Sequence, residues 1–375
     1  MRPFNFIVSP CGTSMLRNLC KDQNQEQAQL ISDYANYKEQ DLSPTDKQQL
    51  DVVIDQAQQS ISSLIQNQQF DGLRQASAEL NALLHFYSDR CQDHANDAHL
   101  LIHTDTYLGN STALITQNAL QQLGFYQVFS ITAPGLATKN LTDFRGALAH
   151  LTRDLREDYL QPYQKTQCQI IFNLTGGFKS TQGFLQVLAM FYADESIYIF
   201  EGDGELLHIP KLAIRFDYEQ QIQDNLTVMR RLASDLPVNE KPEANLDLLI
   251  MSVDDQYILS EWGEAVVIPT LQSLYEQKLW PSPSDKIKFD SGLKKSVEAY
   301  PKKVIAKANE TIDDLAKQFE LGLNLKRSTY KKLAGNPVEG CDHEAYLDSD
   351  DARRLFGYFE GGVFVIKKLG KHIKS

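Results

Sequence analysis

Two glycine-bearing turns, far apart in the chain, carry residue types that bind phosphate. In the first, Phe4-Asn5-Phe6-Ile7-Val8 runs into Ser9-Pro10-Cys11-Gly12-Thr13-Ser14. In the second, Gln169-Ile170-Ile171-Phe172 runs into Asn173-Leu174-Thr175-Gly176-Gly177-Phe178-Lys179-Ser180. Each is an apolar run of strand type that ends in glycine and small hydroxyl residues and then enters a helix. Glycine lets a backbone approach an anion closely, and free N–H groups at a helix start attract negative charge. Lys179 would add a cation beside them. Either turn alone is a weak motif, because an ordinary strand-to-helix turn is built the same way. Two of them suggest one ligand held at the carboxyl end of a parallel sheet.

The surrounding pattern supplies such a sheet. From Leu100 onward, short apolar runs alternate with helical stretches, the rhythm of a mostly parallel sheet with helices on both faces. Before it, between the first and second strands, residues from about 21 to 98 are rich in Gln and Asn and read as two or three inserted helices, one of them opening at Ser43-Pro44. Residues 217–280 read as a small helical module with a hairpin tip at Asp254-Asp255, similar to a winged helix. Trp280-Pro281-Ser282-Pro283-Ser284 cannot continue a helix and marks a boundary. The last segment, 285–375, reads as a strand, two helices separated by Pro301, and three or four antiparallel strands. The expected class is therefore α/β, with an antiparallel α+β domain at the end.

Composition narrows the class of function. No apolar run approaches the roughly 20 residues of a membrane helix, and the start lacks the apolar segment and small-residue cleavage site of a signal peptide. The five cysteines, Cys11, Cys20, Cys91, Cys168 and Cys341, are odd in number and scattered. That pattern fits a reducing cytoplasm and neither a disulfide frame nor a zinc site. No metal or cofactor is expected. The formal net charge is −12, but residues 281–375 hold 18 basic and 14 acidic side chains, against 19 and 35 in the rest. The mildly basic end is compatible with a polyanionic partner.

The Ser-Pro-x-Gly-Thr-Ser and Asn-Leu-Thr-Gly-Gly-Phe-Lys turns resemble those of the CARF domain, the CRISPR-associated Rossmann-like sensor of cyclic oligoadenylates. A third element, Leu100-Leu101-Ile102-His103-Thr104-Asp105-Thr106, is similar to that family's second strand and its Asp-Thr turn. The resemblance covers about residues 1–216. It implies a homodimer that binds a cyclic oligoadenylate, cyclic tetra-adenylate suiting a two-fold cleft best. The implied ligand residues are Ser9, Cys11, Gly12, Thr13 and Ser14, then Asn173, Thr175, Gly176, Gly177 and Lys179. Asp105 and Thr106 join them, with Asp105 holding a ribose hydroxyl or capping a helix.

The last 90 residues resemble the RelE/ParE toxin superfamily. The carriers are Lys-Leu-x-Gly at Lys332–Gly335, Arg-Leu-Phe at Arg354–Phe356, and Val-Ile-x-x-Leu-Gly-Lys-His at Val365–His372. This implies a ribosome-dependent endoribonuclease that cleaves messenger RNA by attack of the 2′-hydroxyl, with cations in place of a metal. Such chemistry needs an acid, a base and positive charge for the phosphorane-like transition state. The implied catalytic residues are Arg354 and Arg353, which point to opposite faces of one strand, with Lys332, Lys371 and His372. Where some toxins carry paired lysines before the arginine, this chain has Tyr346-Leu347-Asp348, so the acid and base stay open among His343, Tyr346 and Tyr358. The combined expectation is a type III CRISPR effector whose partners are a cyclic oligoadenylate, the ribosome and messenger RNA. The other reading is a ligand-responsive regulator with a non-nuclease ParE-like or DNA-binding C-terminal half.

Overall fold

The computed structural model describes residues 4–20, 25–137, 141–164, 166, 168–177, 179–200, 204–211, 218–238, 246–323, 330–334, 338–347 and 352–371. The side chains of Lys179 and Ser180, and all of Gly335, Asp348–Asp351 and His372, lie outside the described residues. The chain divides into two compact units, Met1–Arg215 and Phe216–Ser375.

In the first unit, strand β1 (Asn5–Cys11) is followed by five helices: α1 (Ser14–Cys20), α2 (Gln25–Asp33), α3 (Pro44–Gln66), α4 (Phe70–Ala76) and α5 (Ala78–Phe86). Then come β2 (Ala98–His103), α6 (Tyr107–Gln122), β3 (Gln127–Ile131) and α7 (Leu141–Asp154). A π-helical stretch (Leu155–Leu160) leads into α8 (Gln161–Gln164). The unit closes with β4 (Gln169–Asn173), α9 (Lys179–Tyr192), β5 (Glu195–Ile199) and β6 (Leu206–Pro210). The sheet order is β3-β2-β1-β4-β5-β6, with the first five strands parallel and β6 antiparallel. Register sets Val8 of β1 between Leu100 of β2 and Phe172 of β4. All seven residues of β1 are buried, as a strand covered on both faces requires.

Local chemistry explains where the helices start. Ser43 caps α3, its hydroxyl accepting the Asp46 N–H at 3.2 Å, with Pro44 at the first helical position. Thr106 caps α6 by accepting the Gly109 N–H at 3.1 Å, which starts that helix four residues earlier than the Ser111 expected from its apolar pattern. Among the described residues the insert holds four α-helices, α2–α5, where two or three were expected. Its Ile31, Leu50, Val53, Ile61, Leu73, Leu80 and Leu83 share one core with Ile7, Leu101 and Ile171 of the sheet. The inserted helices therefore complete the sheet's hydrophobic layer.

The second unit begins with α10 (Glu219–Asp224) and α11 (Leu226–Ala233). A two-stranded hairpin follows, β7 (Ile250–Val253) and β8 (Gln256–Leu259), then α12 (Glu261–Tyr275). Asp254 and Asp255 turn the hairpin with φ of +50° and +61°, the left-handed pair that matches strand twist. Next are β9 (Ile287–Phe289), α13 (Leu293–Glu298), α14 (Lys302–Leu321), β10 (Tyr330–Lys332), β11 (His343–Tyr346), β12 (Arg353–Glu360) and β13 (Val363–Lys371). The sheet order is β10-β11-β12-β13-β9, antiparallel except for β9 against β13. Ile312, Leu315 and Ala316 of α14 share one core with Ala345, Leu355, Phe364, Ile366 and Leu369 of this sheet.

The Trp280–Ser284 segment lies inside this unit. Trp280 is buried, and its backbone N–H donates to Asn309 Oδ1 at 2.9 Å. Arg230 of α11, fully buried, donates to Asp313 of α14 at 2.8 Å and to the Pro281 carbonyl. Tyr275 of α12 donates to the same carboxylate, and the guanidinium lies 5.1 Å from its ring centroid. Burial works against the Arg230 charge, but Asp313 and Tyr275 outweigh it and hold the guanidinium protonated.

Candidate functional site

In a sheet of order 3-2-1-4-5-6 the connections run opposite ways from the two central strands, and the crevice lies at their carboxyl ends. Here those ends are Cys11-Gly12 after β1 and Leu174-Thr175-Gly176-Gly177 after β4. They pack on each other directly. A Cβ on Gly12 would lie 3.1 Å from Gly177 Cα, and one on Gly177, whose φ is +93°, would lie 2.6 Å from Pro10 Cβ. Only glycine allows this approach of two backbones.

A third element completes the junction. Ser77 caps α5 by accepting the Leu80 N–H at 3.2 Å, and Glu79 in the first turn points inward with no exposure. Its Oε1 accepts the Gly12 N–H at 2.9 Å and the Gly177 N–H at 3.2 Å, and its Oε2 accepts the Ser77 hydroxyl at 2.9 Å. A side chain on Gly176 would run into the Glu79 carboxylate. Burial pushes the Glu79 carboxyl above the usual range, while the Gly12, Ser77 and Gly177 donors pull it back. The two N–H groups assigned by sequence to a phosphate are thus engaged by a carboxylate of the same chain. Nothing in Ser77-Ala78-Glu79-Leu80 sets it apart from any capped helix start, so the sequence did not mark Glu79.

The other nominated residues divide by what they touch. Ser9 is buried, and its hydroxyl accepts the Asn173 amide at 3.3 Å. Asn173, fully buried, also donates to the Glu79 backbone carbonyl at 3.1 Å and accepts the Thr175 N–H at 3.2 Å. The Thr175 hydroxyl accepts the Ile199 N–H at 3.1 Å. Cys11 lies 3.5 Å from the Thr116 hydroxyl, its thiol pushed well up by burial and by the Glu79 charge. These side chains hold the strand tips together. Thr13 is nine-tenths buried, and Ser14 is half-buried with no hydrogen-bond partner for its hydroxyl among the described residues.

At the tip of β2, the helix cap is Thr106, and Asp105 is free for another role. Its carboxylate receives Lys38 of the insert at 2.6 Å and the Gly135 N–H at 2.9 Å. Burial pushes the Asp105 carboxyl up, but Lys38 and the Gly135 N–H outweigh it and leave it below the usual range. Both side chains of the pair are about a third exposed, 38% for Lys38 and 30% for Asp105. They sit in reach of solvent beside the tips. Lys38 and Gly135 were not anticipated from sequence.

In the second unit, register and the two-residue period of a strand divide the nominated cations. Arg354 pairs with Tyr346, and its guanidinium stacks 3.7 Å from that ring's centroid. The same face carries buried Glu344 and Lys331, whose Nζ lies 3.2 Å from Glu344 Oε1. Arg353, Lys371 and Lys332 fall on the opposite face with Ala345 and Leu355, where Arg353 lies 5.9 Å from the Tyr300 ring. The structure brings Arg354 together with Lys331, Glu344 and Tyr346, and does not bring it together with Arg353, Lys332 or Lys371.

Among the described residues no helix is long and apolar enough to cross a membrane. No curated protein matches the chain. Residues 74–212, from the end of α4 through β6, match a family model described as CRISPR-associated protein (Cas_APE2256). That span contains Glu79, the Asp105 turn and the Thr175-Gly176-Gly177 turn. Over those residues the chain is similar to a family of CRISPR-associated proteins.

Proposed function

We propose that the first unit is a sensor of a cyclic oligoadenylate, with the tetra-adenylate ring the first candidate, acting in type III CRISPR defence. The observation that carries this reading is the meeting of two glycine turns at the switch point of the sheet, the second of them within the stretch similar to a CRISPR-associated family. Gly176, Gly177, Thr13, Ser14 and Lys179 would face the ligand, and Asp105 a ribose hydroxyl. A ring with two-fold symmetry asks for a matching protein axis. The full chain is therefore expected to be a homodimer without ligand, and light scattering that shows only monomer at micromolar concentration would count against it.

Calorimetry with cyclic tetra-adenylate tests the sensor directly. Lys179→Ala is expected to weaken binding about ten- to a hundred-fold, the worth of a charge-assisted phosphate contact of about 1.5–3 kcal/mol. An unchanged dissociation constant would move the ligand away from this turn.

For the second unit we propose a RelE-like endoribonuclease that cleaves messenger RNA on the ribosome once the sensor is occupied. Support comes from the order strand, two helices and four strands, and from Arg354 beside Tyr346 and Glu344 on the sheet face away from α14. The division of the nominated cations between two faces favours a second reading. In it this unit is a ParE-like or DNA-binding module without nuclease activity, and the chain is a ligand-responsive regulator. Mapping messenger-RNA ends after adding each cyclic oligoadenylate to translating ribosomes separates the two.

A further inference from the structure

We propose that Glu79 is a built-in occupant of an anion site, and that a phosphate of the incoming ligand takes its place on Gly12 and Gly177. The identity of that ligand rests on the sensor reading above; the exchange of anions does not.

Two backbone N–H groups from different strand tips converge on a single oxygen, Glu79 Oε1, at 2.9 and 3.2 Å. Convergent main-chain donors of this kind form a concavity for an anion. The anion they hold is expensive to keep there. Glu79 has no exposure, and its carboxylate's hydrogen-bond partners among the described residues are the neutral donors of Gly12, Gly177 and Ser77. A buried carboxylate without a cation gains when it returns to water. Yet the glycines cannot be left empty, because a buried N–H without an acceptor carries a desolvation penalty. Glu79 keeps both donors satisfied while the site waits, and an entering phosphate keeps them satisfied afterwards. The exchange conserves the hydrogen bonds and frees one carboxylate.

This arrangement filters ligands. A single phosphate gains little over the carboxylate that it displaces. A ligand that brings several phosphates and bases to the same crevice adds contacts that Glu79 cannot match. Mononucleotides would be refused and a cyclic oligonucleotide accepted. The exchange also reaches the insert. Glu79 stands in the first turn of α5, whose Leu80 and Leu84 are fully buried, and its backbone carbonyl accepts Asn173 from the end of β4. Release of the carboxylate loosens α5 from the strand tip and makes the inserted helices the part of the unit that registers occupancy.

The test follows the Gly12 and Gly177 amide resonances of 15N-glycine-labelled full chain during titration with inorganic pyrophosphate. Glu79→Gln keeps the size and an acceptor for both N–H groups but removes the charge. It is expected to show saturable shifts at a pyrophosphate concentration at least about tenfold lower than the wild type, since a neutral acceptor holds such donors about half as strongly. Ser77→Ala removes one of the three donors to the carboxylate and is expected to lower the midpoint by a smaller factor. It decides the matter if Glu79→Gln does not fold. Equal midpoints in wild type and variants, or no response of these two amides in any of them, would overturn the exchange. If the pyrophosphate contrast holds and no cyclic oligoadenylate binds, the exchange stands and the sensor reading falls.

Discussion

Arg230→Ala is expected to destabilise the second unit by about 3–5 kcal/mol, a loss of roughly two to three and a half powers of ten in its folding equilibrium. The guanidinium is fully buried, and removing it strands Asp313, which also takes the Tyr275 hydroxyl, without its cation. It also leaves the Pro281 carbonyl short of a donor. Both tryptophans of the chain, Trp262 and Trp280, belong to this unit. Urea titration read by tryptophan fluorescence therefore isolates it, and the midpoint should fall sharply. The paired replacement Arg230→Met with Asp313→Leu should recover most of the loss, because an apolar pair of similar size removes both charges together. An Arg230→Ala midpoint equal to the wild type would mean that the ion pair does not hold α11 to α14.

The second large effect concerns Arg354. Alanine there is expected to reduce ligand-stimulated cleavage of messenger RNA on ribosomes by about a hundred- to a thousand-fold, while leaving ligand binding intact. In-line attack of a 2′-hydroxyl builds negative charge on the scissile phosphate, and losing one preorganised donor to such charge typically costs that much. Arg354 suits the role because its planar guanidinium is already fixed against Tyr346, so little freedom is lost on engaging the phosphate. Lys331→Ala on the same face should also slow cleavage, whereas Lys332→Ala on the other should not. Full activity in Arg354→Ala with loss in Arg353→Ala would transfer the site to the helix-side face. Full activity in both would leave the regulator as the reading of this half.

Much of the first unit was legible because its signals are local. Apolar runs of four or five residues ended by Gly and Thr mark strand tips wherever they fall, and Ser43-Pro44 marks a helix start from two residues alone. What escaped is what distance conceals. Glu79 meets Gly12 and Gly177 from 67 and 98 residues away, and Lys38 meets Asp105 from 67. The glycines were read as making room for a phosphate; the same freedom makes room for a carboxylate, and residue type does not say which anion fills the space. In the second unit the Pro and Ser residues at 281–284 suggested a seam, since composition reports that a helix stops and not whether the next element packs back. Strand period correctly set Arg353 and Arg354 on opposite faces. It could not say which face is accessible, because β12 is buried on both sides from Arg354 to Gly357.

The central position of β1 carries a cost in time. It precedes the other strands of its sheet in the chain, yet Ser9 is joined to Asn173 of β4 across 164 residues. At typical elongation rates of about 5–20 residues per second, β1 waits roughly 8–30 s for that neighbour. In the first part of that interval, before β2 is made, α1 and the inserted helices are the elements that can cover its apolar face. The Gln- and Asn-rich insert is thus placed in the order of synthesis where it can shelter a nascent strand.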